Sequence, residues 1–435
     1  MSLGWHHLIL VVAVLLGLLT TIKLFHERSS PASVFSWLVL IVLIPYIGIP
    51  IYWLFGGRKL RSLARADAVY AGQPGASSAE PSRVELLQTN VQAWEALLRV
   101  IRAAKRTLVV ETFILGRDEI GESIVAELAT KSRQGLKVRL LVDALGSLKT
   151  RGDFLDPIRN AGGEVAAFLP ILPIHRRWSL NLRNHRKLIV ADSTVAVVGG
   201  MNLAAEYLGP GDDSRHWIDV GCQIEGPAAQ TLETVFAADW DFARDGRVRA
   251  LPSMSRAGNV EIITGGPTCA TNDLRDAILL ALAGARSRIR IVTPYFVPDQ
   301  ALMAVLCGQA RRGCRIDLVL PARSNHHLAD LARGANVRDL IRAGVNVVVH
   351  PDRMVHAKIL TVDDALAVLG SANLDLRSLY LNFELCAFLS GHREVVAAAR
   401  WIDRLAAHCL PAPAAPPSRF RGLTEDLVYF VSPLL

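Results

Sequence analysis

Residues 185–202 read HRKLIVADSTVAVVGGMN, and residues 356–373 read HAKILTVDDALAVLGSAN. The two runs carry the same residue types at the same spacing. His185, Lys187, Asp192, Gly199-Gly200 and Asn202 in one match His356, Lys358, Asp363, Gly370-Ser371 and Asn373 in the other. A single copy of so short a motif carries a false-positive risk, whereas two copies at equivalent places mark a repeat. His and Lys are two residues apart, so on a strand both side chains face one side and can share a cavity. The apolar residues that follow (Leu188, Ile189, Val190; Ile359, Leu360) continue each strand into a core.

The neighbouring sequence repeats as well. Glu95–Lys105 fits an amphipathic helix, Thr107–Phe113 a strand, Ser123–Gln134 a helix and Lys137–Asp143 a strand. The same order recurs as helix Asp273–Ala285, strand Arg288–Phe296, helix Gln300–Arg312 and strand Arg315–Leu320. Ala161-Gly162 and Ala343-Gly344 each introduce a further strand. Alternating strands and helices predict mixed or parallel sheets covered by helices, here as a pseudo-twofold pair of α/β units.

The residue types suit phosphoryl chemistry. A neutral imidazole is nucleophilic near pH 7 and its charged form is an acid. One histidine can attack phosphorus while the other protonates the departing alcohol and later deprotonates the incoming one. The lysines supply positive charge, and Gly200, Asn202, Ser371 and Asn373 are the expected phosphate-binding positions. No metal or other cofactor is called for. Asp219 and Glu384 sit in corresponding strands, seven residues before Gly226 and Gly391, and a carboxylate beside each histidine would fix its tautomer. The plainer alternative for those acids is a surface salt bridge.

The chain has 435 residues and a net charge of +8, enough for two domains and favouring acidic partners. Its six cysteines form no C-x-x-C pair and read as small buried hydrophobes. Leu8–Thr21 is almost wholly apolar, and Val34–Phe55 lacks charge and is long enough to cross about 30 Å of hydrocarbon. The turn Glu27–Pro31 between them predicts a transmembrane hairpin, with Tyr46, Tyr52 and Trp53 at the interface. Arg58, Lys59, Arg61 and Arg65 crowd the exit, which places the large domains in the cytoplasm by the positive-inside rule. Ala71–Pro81 has the composition of a tether.

The two H-x-K-x(4)-D motifs resemble those of the phospholipase D superfamily. Within it the chain is most similar to bacterial cardiolipin synthases, through LIPYIGIPIYWLFGGRK (43–59), TPYFVP (293–298) and SANLDLRS (371–378) followed by LNFE (381–384). The terminal Ser432–Leu435 is similar too. The stretch Pro411–Pro417 looks like an insertion.

That resemblance implies two phospholipase D-like α/β/α domains, 86–250 and 251–435, behind a two-helix transmembrane hairpin (1–60) and a linker (61–85). It implies His185, Lys187, Asp192, His356, Lys358 and Asp363 as catalytic residues, with Asp219 and Glu384 orienting the histidines. His185 would be the nucleophile and His356 the general acid; the sequence itself is too symmetric to decide. The implied reaction transfers a phosphatidyl group to phosphatidylglycerol through a phosphohistidine, giving cardiolipin and glycerol when phosphatidylglycerol is also the donor. Phosphatidylethanolamine is a second possible donor. The expected location is the bacterial inner membrane, with phospholipids rather than nucleic acid as partners. Two alternatives stay open: a hydrolase, phosphodiesterase or nuclease on the same scaffold, and an inactive lipid-binding scaffold. Arg176, Arg177, Trp178 and Arg183 fit either a nucleic-acid groove or a basic cavity mouth for lipid phosphate.

Overall fold

Apolar, β-branched runs bounded by glycine build the first sheet, as their composition demands. A computed structural model describes residues 15–24, 31–55, 78–150, 152–170, 182–211, 214–249, 254–269 and 271–431. The first seven strands are β1 (Arg83–Leu87), β2 (Thr107–Thr112), β3 (Lys137–Asp143), β4 (Glu164–Phe168), β5 (Leu188–Ala191), β6 (Val195–Gly199) and β7 (Gly221–Glu225). They lie in the order β1-β7-β6-β5-β2-β3-β4. Strands β2, β3 and β4 run parallel, and β5, β6, β7 and β1 continue the sheet antiparallel.

The second half repeats this plan. Its strands are β8 (Met254–Ala257), β9 (Val260–Gly265), β10 (Arg288–Val292), β11 (Phe296–Val297), β12 (Arg315–Pro321), β13 (Asn346–His350), β14 (Ile359–Val362), β15 (Leu366–Gly370), β16 (Leu374–Asp375), β17 (Glu384–Leu389) and β18 (Leu410–Pro411). Nine of them form a sheet in the order β18-β13-β12-β10-β14-β15-β17-β9-β8, and β11 pairs with β16 separately. Within that sheet β9-β17-β15-β14-β10-β12-β13 matches β1-β7-β6-β5-β2-β3-β4 strand for strand. The expected strand Arg288–Phe296 therefore ends at Val292 and resumes as β11.

Two helices lie between the sheets. Pro227–Asp245 contacts β4, β5 and β7 of one sheet and β8 and β9 of the other, while His392–Ala407 contacts β1 and also β10, β13, β14 and β15. Each follows a glycine, Gly226 or Gly391, at the end of the preceding strand. The central core runs through both halves. Phe383 is buried, with its ring 4.8 Å from Phe168 and 5.7 Å from Phe242. Burying a side chain of that size contributes about 1.5–3 kcal/mol. Trp401 adds a cross-half bond, donating from Nε1 to the Gln88 carbonyl at 2.9 Å.

Three expectations change. Residues 78–85, read as the end of a linker, join the folded part: Ser78 bridges Ala257, and Arg83–Leu87 pairs along β7. Alternating Val84 and Leu86 outweigh the small-residue composition just before them. Of the cysteines, Cys222, Cys314 and Cys386 are buried, but Cys269, Cys307 and Cys409 are only half-buried.

The third change concerns the apolar N-terminal segment. Val34–Phe55 is not one helix but two, Pro31–Leu43 and Pro45–Phe55, broken at Ile44. The rings of Trp37 and Tyr52 meet at 5.1 Å. In a straight helix fifteen residues would separate them by about 22 Å, so the chain folds back at Ile44-Pro45. Tyr52 is buried there rather than at an interface, while Tyr46 is exposed. Among the described residues, no helix is long and apolar enough to cross a membrane. Much of Leu8–Thr21, the basic cluster at 58–65, most of the tether and Ser432–Leu435 lie outside the described residues, as do Arg176, Arg177 and Trp178.

Candidate active site

The two motif histidines are placed by hydrogen bonds that cross between the halves. The segment before β5 lies beside the segment before β17: His185 N–H donates to the Phe383 carbonyl and Phe383 N–H to the Arg183 carbonyl, both at 2.9 Å. In the same way Ile218 N–H donates to the Met354 carbonyl, and His356 N–H to the Ile218 carbonyl, both at 2.8 Å. The residue following each of those partners is an acid. Glu384 therefore meets His185, and Asp219 meets His356.

Both pairs are tight. His185 Nδ1 is 3.1 Å from Glu384 Oε2 and 3.1 Å from the Ser371 carbonyl. Two acceptors on Nδ1 require the proton there, which leaves the Nε2 lone pair free. His356 Nδ1 is 2.7 Å from Asp219 Oδ2. Asp219 also accepts from the Val220 N–H at 2.8 Å, and Glu384 from the Ser371 hydroxyl at 2.5 Å. Both acids are buried, which alone would raise their pKa, yet their histidine partners hold them below the usual carboxylate range.

The lysines complete one cluster. Lys187 Nζ donates to the His185 carbonyl at 2.6 Å and lies 5.4 Å from the Phe113 ring centroid. Lys358 Nζ is 2.8 and 2.9 Å from the two ring nitrogens of His356. Burial pushes Lys187 down to about 7 and Lys358 down to about 8. His185 is lowered by burial and by both lysines, and His356 is pushed down to about 3 by burial, then by Lys358 and Lys187. Each imidazole thus feels the lysine of the opposite motif. Tyr207 and Trp217, whose ring centroids are 4.9 and 5.4 Å from His356, form an aromatic wall on that side. Asn90 ties that wall down, donating to the carbonyls of Tyr207 at 2.6 Å and Trp217 at 2.8 Å.

The glycines answer to the strands more than to an anion. A Cβ on Gly370 would lie 2.2 Å from the Leu385 carbonyl oxygen, and one on Gly200 would lie 2.6 Å from Asp219 Oδ1. Ser371, expected at the phosphate, spends its hydroxyl on Glu384. Asn202 accepts from the Ile114 N–H at 3.2 Å. Asn373 keeps a buried Oδ1 without a hydrogen-bond partner and lines a 470 Å³ cavity. That cavity is walled by His185, Phe113, Leu145, Val297, Leu328, Ala332 and Leu376 among others, and by the polar groups of Tyr295, His326 and Arg377.

Asp192 and Asp363 are not brought to the imidazoles. Each lies seven residues past its histidine, at the far end of a strand that rises about 3.3 Å per residue. Asp192 accepts from the N–H groups of Lys105, Arg106 and Thr107 at 2.7–2.9 Å. Asp363 accepts from those of Arg286, Ser287 and Arg288 at 2.8–3.0 Å. Both take positive φ, 54° and 51°. Burial alone would raise both, but the amide bonds together outweigh it, so Asp192 is lowered and Asp363 falls to about 2. These aspartates cap the starts of β2 and β10, a correction to the catalytic place given them above.

The sequence hid three supporting residues. Arg186, within the first motif, is buried and donates to the Glu384 carbonyl at 3.1 Å, to the Gly265 carbonyl at 3.1 Å and to Asp239. Glu111, raised well above its usual value by burial and then by Asp239, accepts from Asn184. Asp143 accepts from the Asn184 N–H at 3.0 Å and pairs with Arg183 at 3.4 Å. Their signal was faint: Ala357 stands where Arg186 does, so the repeat gives no second copy.

The sequence matches the family model described as cardiolipin synthase, PLD-like domain, over residues 97–240 and 278–406. Residues 9–57 match phospholipase D-nuclease N-terminal. Cardiolipin synthase 1 of Bacillus cereus is 31% identical over 84% of this chain and 81% of its own length. The major cardiolipin synthase ClsA of Bacillus subtilis is 30% identical, with 86% of each chain covered. A crystal structure of the phosphatidylserine synthase of Haemophilus influenzae shares the fold, with a TM-score of 0.62 and 16% identity over 86% of this chain and 100% of that one.

Proposed function

The chain belongs to the family of PLD-like cardiolipin synthases, and from that premise we propose that it transfers a phosphatidyl group from one phospholipid to the free hydroxyl of phosphatidylglycerol. The single observation that carries this reading is the pair of crossed imidazole–carboxylate bonds beside two lysines, with His185 on the wall of a largely apolar cavity.

His185 is the nucleophile in this reading. It is the motif histidine on the cavity wall, and its Nε2 bears the free lone pair. Nε2 attacks phosphorus, the bond to the leaving alkoxide breaks, and His356 Nε2 gives that oxygen a proton. The acceptor hydroxyl then returns a proton to His356 and attacks the phosphohistidine, breaking the P–N bond. Lys187, Lys358, Asn202 and Asn373 hold the phosphoryl oxygens, while Asp219 and Glu384 stabilise the imidazolium forms. The bound phosphodiester anion offsets the lysine charges that keep His356 neutral in the empty site. Phosphatidylglycerol serves as donor, with phosphatidylethanolamine as the second donor to be tested.

The apolar N-terminal segment holds the enzyme at the bacterial inner membrane, with residues 86–250 and 251–435 on its cytoplasmic side. Match of residues 9–57 to an N-terminal family segment supports this, as does the exposure of Leu15, Leu18, Leu19, Val42 and Leu43. Reconstitution with phosphatidylglycerol tests the reaction: release of glycerol with formation of cardiolipin is expected, and phosphatidic acid alone would show a hydrolase.

A further inference from the structure

Single exposed apolar side chains, such as Met254 or Leu280 here, need no explanation. The helix Arg419–Val431 is different. Phe420, Leu423 and Leu427 are 82%, 68% and 62% exposed, and their spacing of three and four residues puts them on one stripe. The other side of the same helix is fixed to the protein. Glu425, 1% exposed, pairs with Arg338 at 2.7 Å and Arg421 at 3.0 Å. Val428 packs against Val297 and Ala332. The stripe is therefore directed outward by its neighbours, and it is not a frayed end.

Two further observations say what covers it. The helix touches Pro31–Leu43, on which Phe35, Val42 and Leu43 are also exposed, so the apolar surface continues that of the N-terminal helices. Three side chains fall short of the roughly 1,000 Å² that a stable protein interface buries. A helix lying in a bilayer surface needs only one apolar face, sunk about 5–10 Å.

We propose that Arg419–Val431 lies in the plane of the lipid surface, with Phe420, Leu423 and Leu427 among the acyl chains. The proposal rests on the membrane reading above and adds a second, C-terminal contact to it. Val297 and Ala332, which seat the helix, also line the catalytic cavity, and exposed Leu328 stands on its wall. Docking this helix sets the cavity mouth against the lipid from which substrate must come.

The test uses the full chain in vesicles of phosphatidylglycerol and phosphatidylethanolamine whose acyl chains carry an alkyne tag. A benzophenone-bearing phenylalanine replaces, one at a time, Phe420, Leu423, Leu427, Phe35 in the N-terminal helices, and exposed Arg393. Illumination is expected to give lipid adducts at 35, 420, 423 and 427 and none above background at 393. Adducts at 35 without adducts on the C-terminal helix would overturn this inference and leave the membrane reading standing. Absence at both would remove the membrane reading as well. Crosslinks from 423 to a second copy of the chain would show a protein interface instead and refute the proposal. As a second measurement, Phe420→Ser/Leu423→Ser/Leu427→Ser should keep its melting temperature and its turnover of short-chain substrate in detergent, yet lose turnover on vesicles. Unchanged vesicle turnover in this folded variant would count against the proposal equally.

Discussion

Asp219 of the first half places its Oδ2 2.7 Å from Nδ1 of His356 in the second, and Glu384 returns the arrangement to His185. In the proposed mechanism the two acids serve different steps. With a phosphatidyl donor whose leaving group is p-nitrophenol, departure needs no proton. Asp219→Asn should then keep the first-turnover burst of nitrophenol while slowing cardiolipin formation by about 10²–10⁴-fold. Glu384→Gln should lose the burst itself. The opposite pattern would exchange the roles of the two histidines.

The lysines should set the alkaline limit of activity. Burial brings Lys187 to about 7 and Lys358 to about 8 in the empty site, so their charge is present below those values and is lost as pH rises through them. Since kcat/KM reports the free enzyme, it should fall above about pH 7–8. A bound phosphodiester anion favours the charged lysines, so the fall in kcat should come at higher pH. A kcat/KM profile flat to pH 9 would contradict this account.

Asp192 and Asp363 cap strands, so Asp192→Ala and Asp363→Ala should lower stability and spare chemistry. Each loses several bonds from backbone amides, but near solvent, which sets the cost at about 1–2 kcal/mol. Denaturant unfolding measures it, and kcat at a temperature well below melting should be unchanged. A loss of kcat in a folded variant would return these aspartates to the reaction.

Arg186 positions Glu384 through its main-chain carbonyl. Arg186→Met strands Asp239 in the core and should cost about 3–5 kcal/mol, as breaking one side of a buried ion pair does. Adding Asp239→Leu removes the stranded charge and should restore much of that stability. The Glu384 carbonyl still lacks its donor, so kcat should stay low while KM is little changed. Recovery of kcat along with stability would make Arg186 a packing residue only.

Much of this was legible because it is local. The repeat spells out β2, β3, β10 and β12, and the spacing of His and Lys puts both on one face. What could not be read is what depends on a partner far along the chain. Asp219 and His356 are 137 residues apart, and no periodicity says that an acid in one half serves a base in the other. Asp192 shares the motif with His185, yet strand length carries it to the opposite end of the sheet. Val34–Phe55 has the hydropathy of a span, and a chain turn at Ile44-Pro45 leaves hydropathy unchanged.

The exchange of acids across the seam also bears on inheritance. Two units that each lend the other a carboxylate are no longer spare copies. In the proposed mechanism, losing either unit takes an acid from the other's histidine, which would preserve the duplication against erosion. A polypeptide carrying one such half could work only by finding a second chain to supply the missing acid, and recombination that swaps one half for a distant relative's succeeds only where the borrowed acid still reaches its imidazole.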